Sequence, residues 1–333
     1  MTAPLPPGGV VVMAPNVRLG VLGFLHPKKV PGVTHDVAEE DMMVAMRWAL
    51  DNAASFGANP STLMLAGEGS GAYMLVQAAG RLGLAVSRAV IEGSVFSSAV
   101  PANDGALEPS KELAGRLNCS VKDRSAWFSC FSGANLDTLL STAARMNLRF
   151  APLWNAMMFI GEPSEKKLPT IKEVVAGTDI AQTKALVEEY VRPAAKASGK
   201  DTTAQALHKY TIEYIIGRDL VSFVLKKLEG KTDEQLATYL NLVLSGCATR
   251  TVARRAVDKG YHYIIDGGDR PLFEPLLSTA DVAKFMSDGS VPSLKDGNIW
   301  KPWNLSQASR IIKDDGSEVL GSVEGVEFCS VSM

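Results

Sequence analysis

Leu65-Ala66-Gly67-Glu68-Gly69-Ser70-Gly71-Ala72-Tyr73-Met74 is the stretch that decides the fold. Residues 61–66 (STLMLA) lead into it as an apolar run, and residues 73–82 leave it with apolar side chains at helical spacing. A strand, a turn of small residues and a helix are expected in succession. That is the setting of a nucleophile elbow, G-x-S-x-G, in which a strained turn lifts a serine hydroxyl above a sheet. Its flanking glycines remove Cβ atoms that would clash, and N–H groups at the helix start face an oxyanion. Gly67 and Gly71 fill the two glycine positions, but Gly69 stands in the middle. Ser70 is one residue late: its own frame would need glycines where Glu68 and Ala72 stand. The turn keeps the elbow's shape and carries no side chain at the nucleophile position. A plain glycine-rich turn is the bland alternative. A phosphate-binding loop is disfavoured, because the lysine and the spacing it needs are missing.

Working outward, strands are expected at residues 10–14, 61–66, 88–91 (RAVI), 173–176 (EVVA) and 261–265 (YHYII). Helices are expected at 39–55, with Met42, Met43, Met46, Trp48 and Leu50 at its apolar positions, and at 73–82, 183–197, 203–227 and 232–259. The βαβαβ rhythm of the first half predicts an α/β fold with a mostly parallel, doubly wound sheet whose central strands are buried on both faces. The second half is mainly helical, and the tail from residue 287 is expected to hold only short strands and loops. Without a repeat or a low-complexity linker, residues 1–333 read as one domain.

Composition narrows the function classes. With 34 Lys+Arg against 36 Asp+Glu the net charge is −2, so no basic excess is available to neutralise nucleic-acid phosphates. The Lys226-Lys227 and Arg254-Arg255 pairs read as solvated helix faces. No apolar run is long enough to span a bilayer. MTAPLPPGG at residues 1–9 has no basic start, so no export signal is visible, and the chain opens in effect at a core strand. Cys119, Cys130, Cys247 and Cys329 form no C-x-x-C pair, which argues against zinc and thioredoxin-like chemistry, and no other metal or cofactor motif stands out. Four cysteines allow three disulfide connectivities, and four buried thiols are the alternative.

The neighbourhood of the elbow resembles the type-B carboxylesterase/cholinesterase family. Asn16-Val17-Arg18-Leu19-Gly20-Val21-Leu22-Gly23-Phe24 is similar to that family's N-Y-R-L-G-x-x-G-F, with Val17 for tyrosine. Met46, Trp48, Asn52, Phe56-Gly57 and Pro60 fall on its A-L-x-W-V-x-x-N-I-x-x-F-G-G-D-P. Gly67-Glu68-Gly69-Ser70-Gly71 stands against G-E-S-A-G, and Arg88-Ala89-Val90-Ile91-Glu92-Gly93-Ser94 against A-I-x-Q-S-G. The resemblance implies an α/β-hydrolase fold and Cys119–Cys130 and Cys247–Cys329 disulfides. It also implies a secretory-pathway or extracellular location and possible glycosylation at Asn304, where Asn304-Leu305-Ser306 is a sequon.

The same resemblance exposes departures. The family's first strands and its H-G-G oxyanion loop have no counterpart, so an incomplete, N-terminally short domain is expected. The family acid lies in G-V-x-x-D-E-G, which sets Gln182 of Gly177-Thr178-Asp179-Ile180-Ala181-Gln182-Thr183 at the acid position. The family histidine follows the strand at 261–265, yet residues 266–276 (DGGDRPLFEPL) contain none. His26 and His35 come too early, His208 falls in a helix and His262 inside a strand. A serine hydrolase needs nucleophile, base, acid and oxyanion hole together. The preferred reading is a non-catalytic, neuroligin-like binding or adhesion protein without a cofactor, its partner an unidentified protein or a small apolar or ester ligand. The alternatives are an active carboxylic ester hydrolase using Ser70 and a fragment without independent function. Trp300-Lys301-Pro302-Trp303 and the Met42/Met43/Met46 group read as core.

Overall fold

The computed structural model describes residues 9–25, 37–93, 100–101, 108–120, 124–146, 150, 153–154, 168–216, 229–266, 278–294, 296–303, 308–313, 315 and 317–321. Helix α1 (Gly20–Gly23) precedes α2 (Val37–Asn52), and short 3-10 turns at Ala53–Phe56 and Pro60–Thr62 lead into β1 (Met64–Glu68). Then follow α3 (Gly69–Arg81), β2 (Ala85–Glu92), β3 (Val100–Pro101), α4 (Glu108–Arg116), α5 (Arg124–Gly133), α6 (Leu136–Arg145), β4 (Leu153–Trp154) and β5 (Thr170–Asp179). Helix α7 (Ile180–Leu186) passes through a π turn, Val187–Val191, into α8 (Arg192–Ala197). Helices α9 (Ala204–Ile216), α10 (Asp233–Asn241) and α11 (Cys247–Arg254) precede β6 (Lys259–Asp266), and α12 (Thr279–Asp288), β7 (Ser309–Lys313) and β8 (Glu318–Gly321) complete the order.

The main sheet runs β1-β2-β5-β6-β7-β8, parallel throughout except that β8 returns antiparallel to β7. The register sets Glu68 beside Glu92, Glu92 beside Gly177 and Gly177 beside Tyr263. The carboxyl ends of the central strands are therefore level with the end of β1, which is where open α/β sheets bind ligands. Successive residues alternate between two cores. Ala89, Ile91, Val174 and Ala176 face the cluster shared with α2, α3 and α11, while Val90, Val175, Tyr261 and Tyr263 face Phe285 and Trp300. This two-sided burial, inherent in a parallel sheet covered by helices, is why these strands read as continuous apolar runs.

A smaller core joins α4, α5 and α6 through Leu113, Phe131, Leu139 and Met146. Cys119 and Cys130 are bonded there, with Cα atoms 5.9 Å apart. Cys247 is likewise disulfide-bonded, whereas Cys329 lies outside the described residues. Trp300, Trp303, Met42, Met43 and Met46 are buried as expected of core side chains.

Three sequence expectations need correction. Residues 10–14 are irregular rather than a strand, and Val12 is 83% exposed. An extended run becomes a strand only when a neighbour takes its backbone hydrogen bonds, and no described strand pairs with this one. Trp48, placed among the apolar positions of α2, stays 48% exposed and meets the ring of Phe56 at 6.0 Å between centroids. The helix expected over 232–259 stops at Arg254, because the chain must re-enter the sheet as β6 at Lys259. The helix expected over 203–227 is described only to Ile216.

Candidate functional site

Strand β1 and helix α3 meet without a linking residue. Glu68 is still extended (φ −124°, ψ 145°), and Gly69 turns the chain with φ +54° in the left-handed region. A side chain there adds strain of about 1–2 kcal/mol, which glycine avoids. The turn is tight because strand and helix nearly touch: a Cβ on Gly67 would lie 2.8 Å from Ala72 Cα and 2.9 Å from Ala72 N. At Gly69 the same construction meets nothing within 4 Å, so the turn has open space where a side chain would project. Ser70 follows in the first helical turn and is exposed, while Gly71 also faces open space.

The other residues singled out in the sequence do not assemble around that turn among the described residues. His262 is fully buried on β6, facing α11 rather than the elbow. Its Nε2 is 3.1 Å from Thr249 Oγ1 and its Nδ1 is 2.7 Å from Ser309 Oγ, so both ring nitrogens are engaged. Burial, with a smaller contribution from the Arg250 charge, pushes its pKa down to about 3. His208 sits in α9 with Nδ1 2.6 Å from the Ala204 carbonyl of its own helix. His26, His35 and residues 267–277 lie outside the described residues, as does Asn304. Gln182 falls in the first turn of α7.

What converges at the carboxyl ends of β2, β5 and β6 is a buried polar network that the sequence did not announce. Tyr263 Oη donates to Glu92 Oε1 at 2.8 Å. Burial first, then the Glu92 carboxylate, raises the Tyr263 phenol well above its ordinary range, with Asp179 and Glu68 acting in the same direction. The Tyr263 ring passes so close to Gly177 that a Cβ there would fall 2.3 Å from it. Asp179 caps α7 by accepting from Ala181 N at 2.7 Å. Asn241 Nδ2 donates to Thr178 Oγ1, Thr183 Oγ1 and the Asp179 carbonyl at 2.8–3.0 Å. Ser245 Oγ donates to the Gly93 carbonyl at 2.6 Å, and Gly93 N to the Gly177 carbonyl at 2.9 Å. The charges acting on this phenol are acidic, a field that opposes a developing oxyanion. Two signals were available in the sequence: Glu92 directly after the apolar run of residues 89–91, and the alternating tyrosines of YHYII.

No group of three or more acidic, histidine or cysteine side chains among the described residues is arranged to hold a metal ion. No described helix is long and apolar enough to cross a membrane.

Comparison with known proteins agrees with this architecture. The profile of the carboxylesterase family matches residues 5–168. Carboxylesterase 1D of Rattus norvegicus is 26% identical over 341 aligned positions, which cover 96% of this chain and 56% of that protein. Esterase B1 of Culex pipiens is 37% identical over 94 residues, 27% of this chain and 17% of its own length. Neuroligin-2 of Mus musculus is 28% identical over 158 residues, 44% of this chain and 18% of its own. The chain thus spans about half the length of carboxylesterase 1D and less of the other two relatives. A largely parallel hydrolase-type sheet, the carboxylesterase-family match over the first half and relatives that include both esterases and neuroligins make the chain similar to the type-B carboxylesterase/cholinesterase family.

Proposed function

We propose that this chain works by binding, as a pseudo-esterase of adhesion or ligand-capture type, and not by ester hydrolysis. The observation that carries the reading is Gly69. It occupies the left-handed turn between β1 and α3, where the family resemblance sets the nucleophilic serine, and it has no side chain to attack with. The engagement of His262 with Thr249 and Ser309 supports it, because that ring is held away from the elbow. The acidic surroundings of Tyr263 and the presence of Gln182 at the acid position of the resemblance add to it. A protein partner at or outside the cell is the preferred ligand, since the Cys119–Cys130 bond suits an oxidising compartment and neuroligins are among the relatives. A small apolar or ester ligand at the strand ends is the second choice.

A fluorophosphonate probe tests the reading, because it labels any activated serine irrespective of substrate. The purified chain is expected to remain unlabelled. Stoichiometric labelling at Ser70 would overturn the proposal. The competing reading, hydrolysis through Ser70, draws on one observation: Ser70 is exposed in the first turn of α3, next to Glu68. Aryl-ester turnover that is lost in Ser70→Ala would establish it.

A further inference from the structure

Asn118-Cys119-Ser120 is an N-x-S sequon directly behind α4. The backbone there closes the helix: Leu117 N donates to the Leu113 carbonyl at 3.0 Å, and Cys119 N reaches back to the Ala114 carbonyl at 2.8 Å. This is a Schellman-type ending, and it sets Asn118 at φ +57° in the left-handed region. Among the described residues Asn118 is the one non-glycine residue with a positive φ. Glycine suits such a position best, and asparagine is the usual second choice. The middle of the sequon faces inward, where Cys119 is 8% exposed and bonded to Cys130. Asn118 and Ser120, on either side of it, are exposed.

Two observations of different kinds meet here. The helix ending anchors the sequon through its buried cysteine and leaves the two residues that glycosylation needs, the asparagine and the serine, on the surface. The disulfide made by that same cysteine suits an oxidising compartment, and the secretory route that forms such bonds is also where N-x-S sequons take up sugar.

We propose that Asn118 carries an N-linked glycan. Its Nδ2 forms a bond to the anomeric carbon of an oligosaccharide carried on a polyprenyl diphosphate. The bond from that carbon to the diphosphate oxygen breaks, the polyprenyl diphosphate leaves with the electron pair, and Nδ2 gives up one proton. The sugar is bulky and solvated, so it holds the carboxyl end of α4 in solvent, beside the small core of α4, α5 and α6. A protein partner of this chain therefore docks on another face. The proposal rests on the secretory location proposed for this chain and not on the silence of the elbow, so the glycan and the loss of hydrolysis can fail separately.

The full chain, led into the secretory pathway of cultured animal cells by a cleavable leader, tests it. The leader supplies the compartment, so a missing glycan is not confused with a different location. Trypsin cuts after Arg116 and Lys122 and releases residues 117–122. After peptide-N-glycosidase in heavy-oxygen water, most of that peptide is expected to carry labelled aspartate in place of Asn118. In an Asn304→Gln background, which removes the other sequon, the protein is expected to run faster on a gel after the same enzyme. Asn118→Gly, which the left-handed turn accepts, and Ser120→Ala are each expected to abolish that shift with the circular dichroism unchanged. Ser120→Thr restores a hydroxyl and is expected to keep it. Protein that holds the Cys119–Cys130 bond but yields an unlabelled 117–122 peptide would overturn the proposal, as would a label that survives Ser120→Ala.

Discussion

Acidification from pH 7.5 to pH 5 is expected to destabilise the fold chiefly through His262. The folded protein holds this imidazole neutral, with a pKa of about 3 against an ordinary value of 6.5. The ring is wholly buried, hydrogen-bonded to Thr249 and Ser309, and faces the Arg250 charge. Unfolding returns it to water, where it takes up a proton more readily. The contribution is thus complete above pH 6.5 and is lost as the pH falls from 6.5 towards 3. The slope is about 1.4 kcal/mol per pH unit, which amounts to about 2 kcal/mol at pH 5. That is a large part of the roughly 5–15 kcal/mol that holds a typical domain together. Urea unfolding at pH 7.5, 6.5, 5.5 and 5.0 measures it, with His262→Asn as the comparison. The variant is expected to be less stable at pH 7.5, because it loses ring packing, but to show a flatter pH profile by about 2 kcal/mol across the range. The remaining histidines are common to both proteins and cancel in the difference. Parallel profiles for wild type and variant would refute the assignment of a depressed pKa to this buried ring.

Three further substitutions probe the strand ends and the turn beside them. Gly67→Ala is expected to cost about 1–3 kcal/mol, because its Cβ would press on the Ala72 backbone, which cannot rotate away. Gly71→Ala, in open space on the same helix, is expected to be neutral or to stabilise by about 0.5–1 kcal/mol; thermal melts of the two variants make the contrast. Tyr263→Phe removes the donor to the Glu92 carboxylate and is expected to cost about 1–3 kcal/mol in chemical denaturation, with the Gly177 approach left intact.

What could be read from the chain depended on the range of the interaction. β2, β5 and β6 announced themselves because burial on both faces demands unbroken apolar runs, and the strand–turn–helix at 64–81 did so because only small residues permit so close a crossing. Residues 10–14 misled for the complementary reason: composition records a preference for extended backbone, and a ladder needs a second strand. Apolar spacing on α2 did not tell which side chains are covered: Met42, Met43 and Met46 are buried, and Trp48 is not. The Tyr263–Glu92 bond joins residues 171 positions apart, so its pairing is set by strand register and leaves no local pattern. His262 was placed inside a strand; the Thr249 and Ser309 contacts that engage both its ring nitrogens come from other elements, and burial keeps it neutral.

At the turn between β1 and α3, geometry and chemistry rest on different residues. Strand–helix crossing at β1 and α3 depends on Gly67, where the neighbouring backbone leaves no space for a methyl group, and not on the residue at the turn itself. The turn at Gly69 imposes a left-handed backbone, a conformation that an active serine hydrolase tolerates because the strain positions its nucleophile. On the proposed reading, in which the chain binds and does not hydrolyse, glycine at that position removes the strain without altering the crossing, and a stability gain of about 1–2 kcal/mol is expected. On the proposed reading Gly69→Ser is expected to lower the melting temperature while leaving fluorophosphonate labelling absent.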